Sequence, residues 1–316
     1  RGRRAYGATL PQTSWVAPLL VAASTPFAFW TVAGLENPLF AFLLVLAALL
    51  QLEELADARR WPGWSALVLV MLALTRPEGV AFAAAFLVHR CIVRPPADAA
   101  RRTAIWMTVF IACTGLFALW RYWYFAAWLP NTFQAKVVDR HLTNLAAYAT
   151  AVADPGRQYL AGFISHVPVL LALAAIGLTD PRRWRANLLF AGIIFTQALF
   201  VLYAGGDWWP GFRFLTAIVP VVAVLAQHGV ELVIHGLRLR RGLLVAAAVA
   251  FLACAGPNLR ILEELWRVDP DSLISLRSRL ANARTVKTLA AIAHLPRPSY
   301  LEPDIGGPAL IGGLRI

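Results

Sequence analysis

The residues whose types and spacing could support chemistry are concentrated in one short stretch, GGDWWPGFR, at positions 205–213. It combines a carboxylate, Asp207, and a guanidinium, Arg213, with two tryptophans, Trp208 and Trp209, between them. A guanidinium pairs well with a phosphate, and a flat aromatic ring can stack on a sugar. The alternative is a plain connecting turn, because Gly and Pro form turns and Trp favours a membrane interface.

The elements that must position this stretch are two apolar runs, 186–204 and 214–234, each long enough to cross a bilayer. The chain of 316 residues is 59% hydrophobic and only 15% charged, whereas a soluble domain carries about a quarter charged residues. Long apolar blocks of this kind predict an all-α polytopic membrane protein. The net charge of +12 does not require a nucleic-acid partner, because the cytoplasmic loops of membrane proteins collect arginine.

Nine apolar segments predict about nine transmembrane helices. Several are shorter than the roughly 20 residues that a straight span needs, and the third and fourth could be a hairpin of spans or a pair that stops short. The segments are 14–33, 37–52, 61–75, 78–93, 103–125, 159–178, 186–204, 214–234 and 243–257.

The distribution of cations predicts the orientation. If the chain starts inside and alternates, the inner loops hold 15 arginines and the outer connections before the tail hold 5 cations. Since cytoplasmic loops are the arginine-rich ones, four connections are predicted to share the extracytoplasmic face: 34–37, 76–79, 126–158 and 205–213.

The first two of these connections carry charges at membrane depth. Glu36 is the sole charge between two apolar runs, and Arg76 and Glu78 flank the helix-breaking Pro77. Each charge could be solvated or form a structural ion pair, but charges at this depth are functional candidates by default.

The long third connection follows an aromatic belt that includes Trp128. Asn131 could cap a helix and Lys136 could simply extend toward water, but both could also meet a head group. The pattern of 132–152 predicts an amphipathic helix on the outer surface.

The tail is less apolar than the rest. We expect a membrane domain over 1–257 and, over 258–316, the start of an α/β domain on the extracytoplasmic face. Both ends of the chain look cut, so we expect a fragment.

The sequence has no motif typical of metal binding or nucleotide binding. The six histidines and three cysteines lack metal-ligand spacing, and no phosphate-binding glycine loop or dinucleotide motif occurs.

Four outer motifs in order resemble a family of bacterial GT-C-type glycosyltransferases, which includes the actinobacterial terminal arabinofuranosyltransferases of cell-wall assembly. The tail segment EPDIGGPAL (302–310) is similar to their exoplasmic region. The motifs are GLENPLFA (34–41), LTRPEG (74–79), WLPNTFQAKV (128–137) and GGDWWPGFR (205–213).

The resemblance implies transfer of a sugar from a polyprenyl-phosphate donor to a glycan or lipid acceptor, at the outer face of a bacterial plasma membrane. The family's main catalytic carboxylates lie in the first outer loop, which we expect upstream of residue 1, so no catalytic residue is assigned and the fragment itself is expected to be inactive. The resemblance allows a divalent metal as a cofactor, although no residue of this sequence indicates one, and it implies no other cofactor. The expected substrate-binding residues are Glu36, Arg76, Glu78, Asn131, Lys136, Asp207, Trp208, Trp209 and Arg213.

Two other classes remain open. A transporter or flippase of a lipid-linked sugar would share the carrier-binding charges but needs a path through the bilayer and usually shows repeats. A non-catalytic membrane protein of envelope assembly would need neither.

Overall fold

The computed structural model describes most of the first 236 residues. The described ranges are 15–93, 99–126, 128, 153–207 and 211–236, with Leu259, Glu263, Thr285, Thr288, Leu289, Ala291 and Ile292. The chain divides into two units, Arg1–Leu259 and Arg260–Ile316, and the architecture below belongs to the first. The α/β domain expected over 258–316 lies almost entirely outside the described residues and stays a prediction.

The described part is all-α, as predicted, and contains no strand. Ten α-helices occur in it, with 3-10 helices at Pro181–Arg183 and Arg213–Ile218. The helices are α1 Val16–Ala22, α2 Thr25–Val32, α3 Asn37–Ala56, α4 Trp64–Thr75, α5 Gly79–Val93, α6 Ala99–Phe125, α7 Asp154–His166, α8 Pro168–Leu178, α9 Trp184–Ala204 and α10 Val219–Gly236.

Four helices are long and apolar enough to cross a membrane: α3, α6, α9 and α10, the last two with their adjoining 3-10 turns. The pair α7 and α8 adds a fifth if a 90° bend is accepted within one span. Helices α4 and α5, with 12 and 15 residues, are about 18 and 22 Å long at the helical rise, shorter than the hydrocarbon core of about 30 Å. The ninth predicted segment, 243–257, lies outside the described residues.

Two segments that the sequence presented as continuous are broken by proline. The segment 14–33 becomes α1 and α2, because the ring of Pro26 would collide with the Ala22 carbonyl in a continuous helix; Ser24 instead caps α2 by accepting the Phe27 N–H at 3.4 Å. The segment 159–178 bends before Pro168, which disfavours helical backbone at the residue preceding it.

One end of the helices is fixed by a buried ion pair. We call this the inner end; it holds the connections 57–63 and 179–183. Glu54 of α3 lies 2.8 Å from Arg90 of α5, and both side chains are almost fully buried. The same carboxylate accepts the backbone N–H of Ser65 on α4 at 2.7 Å and its hydroxyl at 2.8 Å. The indole N–H of Trp106 on α6 then donates to the Ser65 hydroxyl at 2.9 Å, so four helices meet at one satisfied carboxylate.

Arginine closes the inner end of α3. The Arg102 guanidinium donates to the carbonyls of Glu54, Ala58 and Arg60 at 2.6 to 3.0 Å. A helix C-terminus leaves its last carbonyls without partners; Arg102 of α6 satisfies that of Glu54 and also binds the connection after the helix through Ala58 and Arg60. Arg183, before α9, pairs with Glu231 of α10 at 2.8 Å.

Exposed aromatic rings mark both ends. Trp61, Trp64 and Trp184 are 41 to 54% exposed at the inner end. The far end of α6 exposes Trp120, Tyr122, Trp123, Tyr124 and Phe125. Rings at two levels on otherwise apolar helices are typical of the two interfaces of a bilayer.

Helices α8 and α10 pack backbone against backbone at a pair of glycines. A Cβ at Gly177 would overlap the Leu225 carbonyl oxygen, and a Cβ at Gly229 would overlap the Leu173 carbonyl oxygen. Small residues let apolar helices approach this closely.

We expect Gly229→Ala to lower the unfolding temperature in detergent, because backbone atoms cannot move aside cheaply and overpacking costs about 1–3 kcal/mol. Gly192→Ala is the matched control, since nothing lies within 4 Å of its Cβ position; alanine should be neutral or stabilising there. Equal unfolding temperatures for the two variants would contradict the packing described for Gly229.

The predicted orientation can be tested by cysteine labelling, after Cys91, Cys113 and Cys254 are replaced by serine. Leu35→Cys and Arg157→Cys, at exposed positions, should react with an impermeant maleimide in intact cells. Arg59→Cys, exposed at the inner end, should react only after the membrane is opened, because the arginine-rich end is expected to be cytoplasmic. The reverse pattern would invert the orientation.

Candidate functional site

The break between α4 and α5 places Arg76 among polar groups of α3. Arg76 has extended backbone and ends α4, since Pro77 follows it. Its Nε lies 2.5 Å from Glu78 Oε1, and its Nη1 lies 3.6 Å from Glu36 Oε1. Nη1 also donates to Asn37 Oδ1 at 2.9 Å. The predicted residues Glu36, Arg76 and Glu78 therefore form one cluster at the outer end.

The described parts of the stretch 205–213, residues 205–207 and 211–213, lie at the same end. Gly205, Gly206 and Gly211 have φ of 78°, 77° and 86°, a region that suits glycine. Arg213 Nε lies 2.8 Å from Asp207 Oδ2, so the two charged residues of this stretch form an ion pair.

Phe212 is a strained residue of this stretch. Its φ of 52° is left-handed, which is unusual for a bulky side chain and costs on the order of 1–3 kcal/mol. Its ring packs edge-on against Tyr159, Phe163 and His166 of α7, at centroid distances of 5.1 to 5.6 Å. The bend before Pro168 turns α7 across α8, so that α7 can hold this ring.

Phe214 joins the two parts of the site. The guanidinium carbon of Arg76 lies 5.3 Å from its ring centroid, and that of Arg213 lies 5.2 Å from it. Two cations from distant parts of the chain thus contact one phenyl ring, an arrangement that cation–π attraction favours. Arg213 also lies 5.6 Å from the ring centroid of Trp30, whose indole N–H donates to the Gly211 carbonyl at 2.9 Å.

The backbone of Phe214 is held from both sides. Its N–H donates to the Tyr159 hydroxyl at 3.2 Å, and its carbonyl accepts from Gln197 Nε2. Gln197 lies within the apolar helix α9 and is 1% exposed. Helices α7 and α9 therefore both hold the backbone of Phe214, whose ring contacts the two arginines.

Together these contacts define the outer cluster: Glu36, Asn37, Arg76, Glu78, Asp207, Arg213 and Phe214. The prediction that the connections 34–37, 76–79 and 205–213 share one end is confirmed by their contacts. Most of the fourth connection, 126–158, lies outside the described residues.

The outer cluster carries three carboxylates against two guanidiniums, a net charge of −1. The side chains of Glu78 and Asp207 are 6% and 3% exposed, whereas that of Glu36 is 43% exposed. Glu36 also makes the longest of the three ion pairs. It is therefore the carboxylate that an incoming anion could displace most easily.

Four predicted site residues cannot be located. Asn131, Lys136, Trp208 and Trp209 lie outside the described residues, as does the surface helix expected over 132–152. In the described part, no group of three or more His, Cys, Asp or Glu side chains is arranged to hold a metal ion, and a divalent metal remains as open as the sequence left it.

Sequence reasoning missed several members of the site. Gln197 offered a signal, because a polar side chain inside an apolar span normally has a partner or a role. Asn37 lay beside Glu36 within a motif already noted. Tyr159 and Phe214 gave no signal, because an aromatic residue in an apolar segment is ordinary.

Comparisons with protein-family models, with curated protein sequences and with solved structures found no match for this chain. Its function therefore has to be argued from the sequence motifs and from the geometry of the outer cluster.

We expect Gln197→Leu to destabilise the protein and loosen the outer cluster. The change leaves the buried Phe214 carbonyl without its side-chain donor, which costs about 1–3 kcal/mol. Thermal unfolding in detergent measures the loss. Thr196→Val is the matched control on the same helix: its hydroxyl donates to Gly192 O one turn earlier, so losing it should change little. Equal stability of the two variants would show that Gln197 does not support Phe214.

Proposed function

We propose that this chain is the membrane part of a GT-C-type glycosyltransferase. It would transfer a sugar, with arabinofuranose as the candidate, from a polyprenyl-phosphate donor to a cell-envelope glycan or lipid at the outer face of a bacterial plasma membrane. The finer architecture, about nine spans followed by an exoplasmic α/β domain, belongs to the same proposal. The observation that carries it is the contact of Arg76 and Arg213 with one ring, Phe214, at one end of apolar helices.

The depth of the outer cluster suits a lipid-linked phosphate. Asn37 begins α3 and Glu54 lies near its end, so the rise of about 1.5 Å per residue separates the outer cluster from the inner ion pair by about 25 Å. That is close to the thickness of the hydrocarbon core. A phosphate whose chain lies in the bilayer would sit at the level of the outer cluster.

Apolar surface for the chain of the carrier begins beside the site. Leu35 precedes Glu36, and Leu39 and Phe42 lie one turn apart at the start of α3; they are 38%, 49% and 60% exposed. Around Arg76, Leu74 and Val80 are 47% and 54% exposed. A prenyl chain could follow these side chains while its phosphate reaches the guanidiniums.

Two guanidiniums suit the chemistry of the leaving group. During glycosyl transfer the acceptor hydroxyl gives its proton to a base, and its oxygen bonds to the anomeric carbon. The bond from that carbon to the phosphate oxygen breaks, and the phosphate leaves with the electron pair. Arg76 and Arg213 would stabilise that growing negative charge. No residue of this chain is assigned as the base.

The net charge of −1 requires an exchange of partners on binding. A phosphate adds negative charge to a cluster that already has one carboxylate in excess, so a carboxylate must give way. Glu36 would release Arg76, while Glu78 and Asp207 would keep the two guanidiniums oriented. The freed Glu36 would then face hydroxyl groups of the sugar.

We expect Arg213→Ala to reduce sugar transfer roughly ten- to hundredfold, because a charge-assisted contact to phosphate is worth about 1.5–3 kcal/mol. Arg213→Lys should restore only part of the activity, since lysine lacks the bidentate fork. Transfer is measured in membranes from cells that express the protein in full from its gene, with labelled polyprenyl-phosphate sugars, and is normalised to folded protein.

Arg157→Ala is the control for this experiment. Arg157 forms an exposed ion pair with Asp154, with side chains 71% and 45% exposed, and such a pair contributes at most about 1 kcal/mol. Its loss should leave transfer nearly unchanged. Normal sugar transfer by the Arg213→Ala variant would show that 205–213 is only a connecting turn. Absence of transfer from every donor, with binding of the donor retained, would favour the transporter or the non-catalytic alternative.

A further inference from the structure

Two members of the outer cluster have a buried side-chain N–H that makes no hydrogen bond among the described residues, Arg213 Nε and Asn37 Nδ2. Arg213 Nε still has an ion-pair partner, Asp207, at 2.8 Å, which leaves the donor of Asn37 to be explained. The residue is 4% exposed, and its Nδ2 is buried without a hydrogen-bond partner among the described residues. Burying an N–H without an acceptor costs about 1–3 kcal/mol. Such a group in a folded protein needs an explanation.

The orientation of the Asn37 amide is fixed by its neighbour. The Arg76 guanidinium has donors only, and its Nη1 lies 2.9 Å from Asn37 Oδ1. Turning the amide over would bring two donors together, so the oxygen must face Arg76. The hydrogen bond from Arg76 therefore fixes the amide so that Nδ2 points away from the guanidinium.

The position of Asn37 on its helix favours an anion. Asn37 is the first residue of the 20-residue helix α3, and the preceding residue, Glu36, makes no side-chain cap hydrogen bond to that helix. The first turn of a helix presents unpaired N–H groups and the positive end of the helix dipole. Anions are commonly bound at such a position.

We propose that Asn37 Nδ2 donates a hydrogen bond to a phosphate oxygen of the lipid-linked donor, beside Arg76. This inference rests on the proposed function and extends it to a residue that was not among the expected substrate-binding residues. Oδ1 keeps the guanidinium of Arg76 in place, and Nδ2 offers the phosphate a directed donor at the start of α3. The Asn37 amide thereby links the Arg76 guanidinium to the N-terminus of α3. The phosphate displaces Glu36, which makes a 3.6 Å contact to the same guanidinium.

Asn37→Asp separates the two functions of the amide. The substitution keeps an oxygen toward Arg76 but replaces the donor by a negatively charged oxygen, which repels phosphate. Asn37→Ala removes both groups without adding charge, so a loss of binding in both variants cannot be assigned to charge repulsion alone. We expect the affinity for the phosphate to fall about ten- to hundredfold in each.

The measurement is the rise in unfolding temperature of the detergent-solubilised protein on adding ligand, which requires no turnover. The probes are geranyl phosphate, geraniol and inorganic phosphate. For the unmodified protein, geranyl phosphate should raise the unfolding temperature, and the other two should have little effect. Asn37→Asp and Asn37→Ala should lose most of that rise.

Thr75→Val is the matched control. Thr75 precedes Arg76, and its hydroxyl donates to the Leu72 carbonyl at 2.7 Å. Replacing it by an isosteric apolar residue removes a polar group at the same end of the bundle without touching the proposed phosphate contacts. This variant should keep the full response to geranyl phosphate.

The outcomes distinguish the two proposals. If geranyl phosphate stabilises the unmodified protein, and both Asn37 variants respond equally well, the role of Asn37 is overturned and the donor site stands. If it does not stabilise the unmodified protein at all, the proposed donor site itself fails. An equal response to inorganic phosphate would overturn the assignment to a lipid-linked phosphate.

Discussion

Charged side chains on apolar helices have to be gathered and paired, because an isolated charge in a medium of low polarity is costly. In the described part of this chain they collect at the two ends of the helices, about 25 Å apart along α3. Pairing across elements then determines which helices meet. Glu54 and Arg90 join α3 to α5, and Arg76 joins the α4–α5 break to the start of α3. Much of the helix arrangement follows from this requirement.

The two ends meet the requirement in different ways. At the inner end the carboxylate of Glu54 accepts from three donors: the Arg90 guanidinium and the N–H and hydroxyl of Ser65. Trp106 in turn donates to the Ser65 hydroxyl, and the ion pair is almost fully buried. Such an arrangement holds helices together and leaves little room for a ligand. At the outer end the cluster has one carboxylate in excess and lies beside Phe212, whose backbone is strained. Buried side-chain nitrogens without a hydrogen-bond partner among the described residues occur at both ends, in Arg90 and Arg102 and in Asn37. The two ends therefore differ in charge balance and in the exposure of Glu36, not in unsatisfied groups.

The break at Pro77 and the bend before Pro168 are what make the outer cluster possible. The first turns Arg76 toward α3 and Phe214 instead of continuing a span, and the second lets α7 pack on Phe212 and Tyr159 reach the Phe214 N–H. A continuous helix at either place would have carried these side chains into the apolar layer. The ligand that we propose, a lipid-linked phosphate, is charged at one end and apolar along its chain, and the outer cluster likewise lies where apolar helices end.

The sequence by itself determined that this is an all-α membrane protein and which charged residues lie between its apolar segments. Apolar blocks that are too long for soluble helices predict membrane spans, and the few charges between them are conspicuous, so Glu36, Arg76, Glu78, Asp207 and Arg213 could be singled out one connection at a time. The asymmetry of arginine also predicted which connections share an end, because that rule depends on composition alone.

Only the tertiary structure decided which of these charges act together. The contacts of Arg76 with Asn37 and with Phe214, the neighbour of Arg213, join residues more than 35 positions apart. Hydropathy records how apolar a residue is but not what it touches, so it could not reveal that Phe214 or Tyr159 belongs to a site. Hydropathy also counted 14–33 and 159–178 as single segments, because the apolar composition continues through Pro26 and Pro168. The helical backbone does not continue there, because proline has no N–H to donate and its ring collides with the preceding turn.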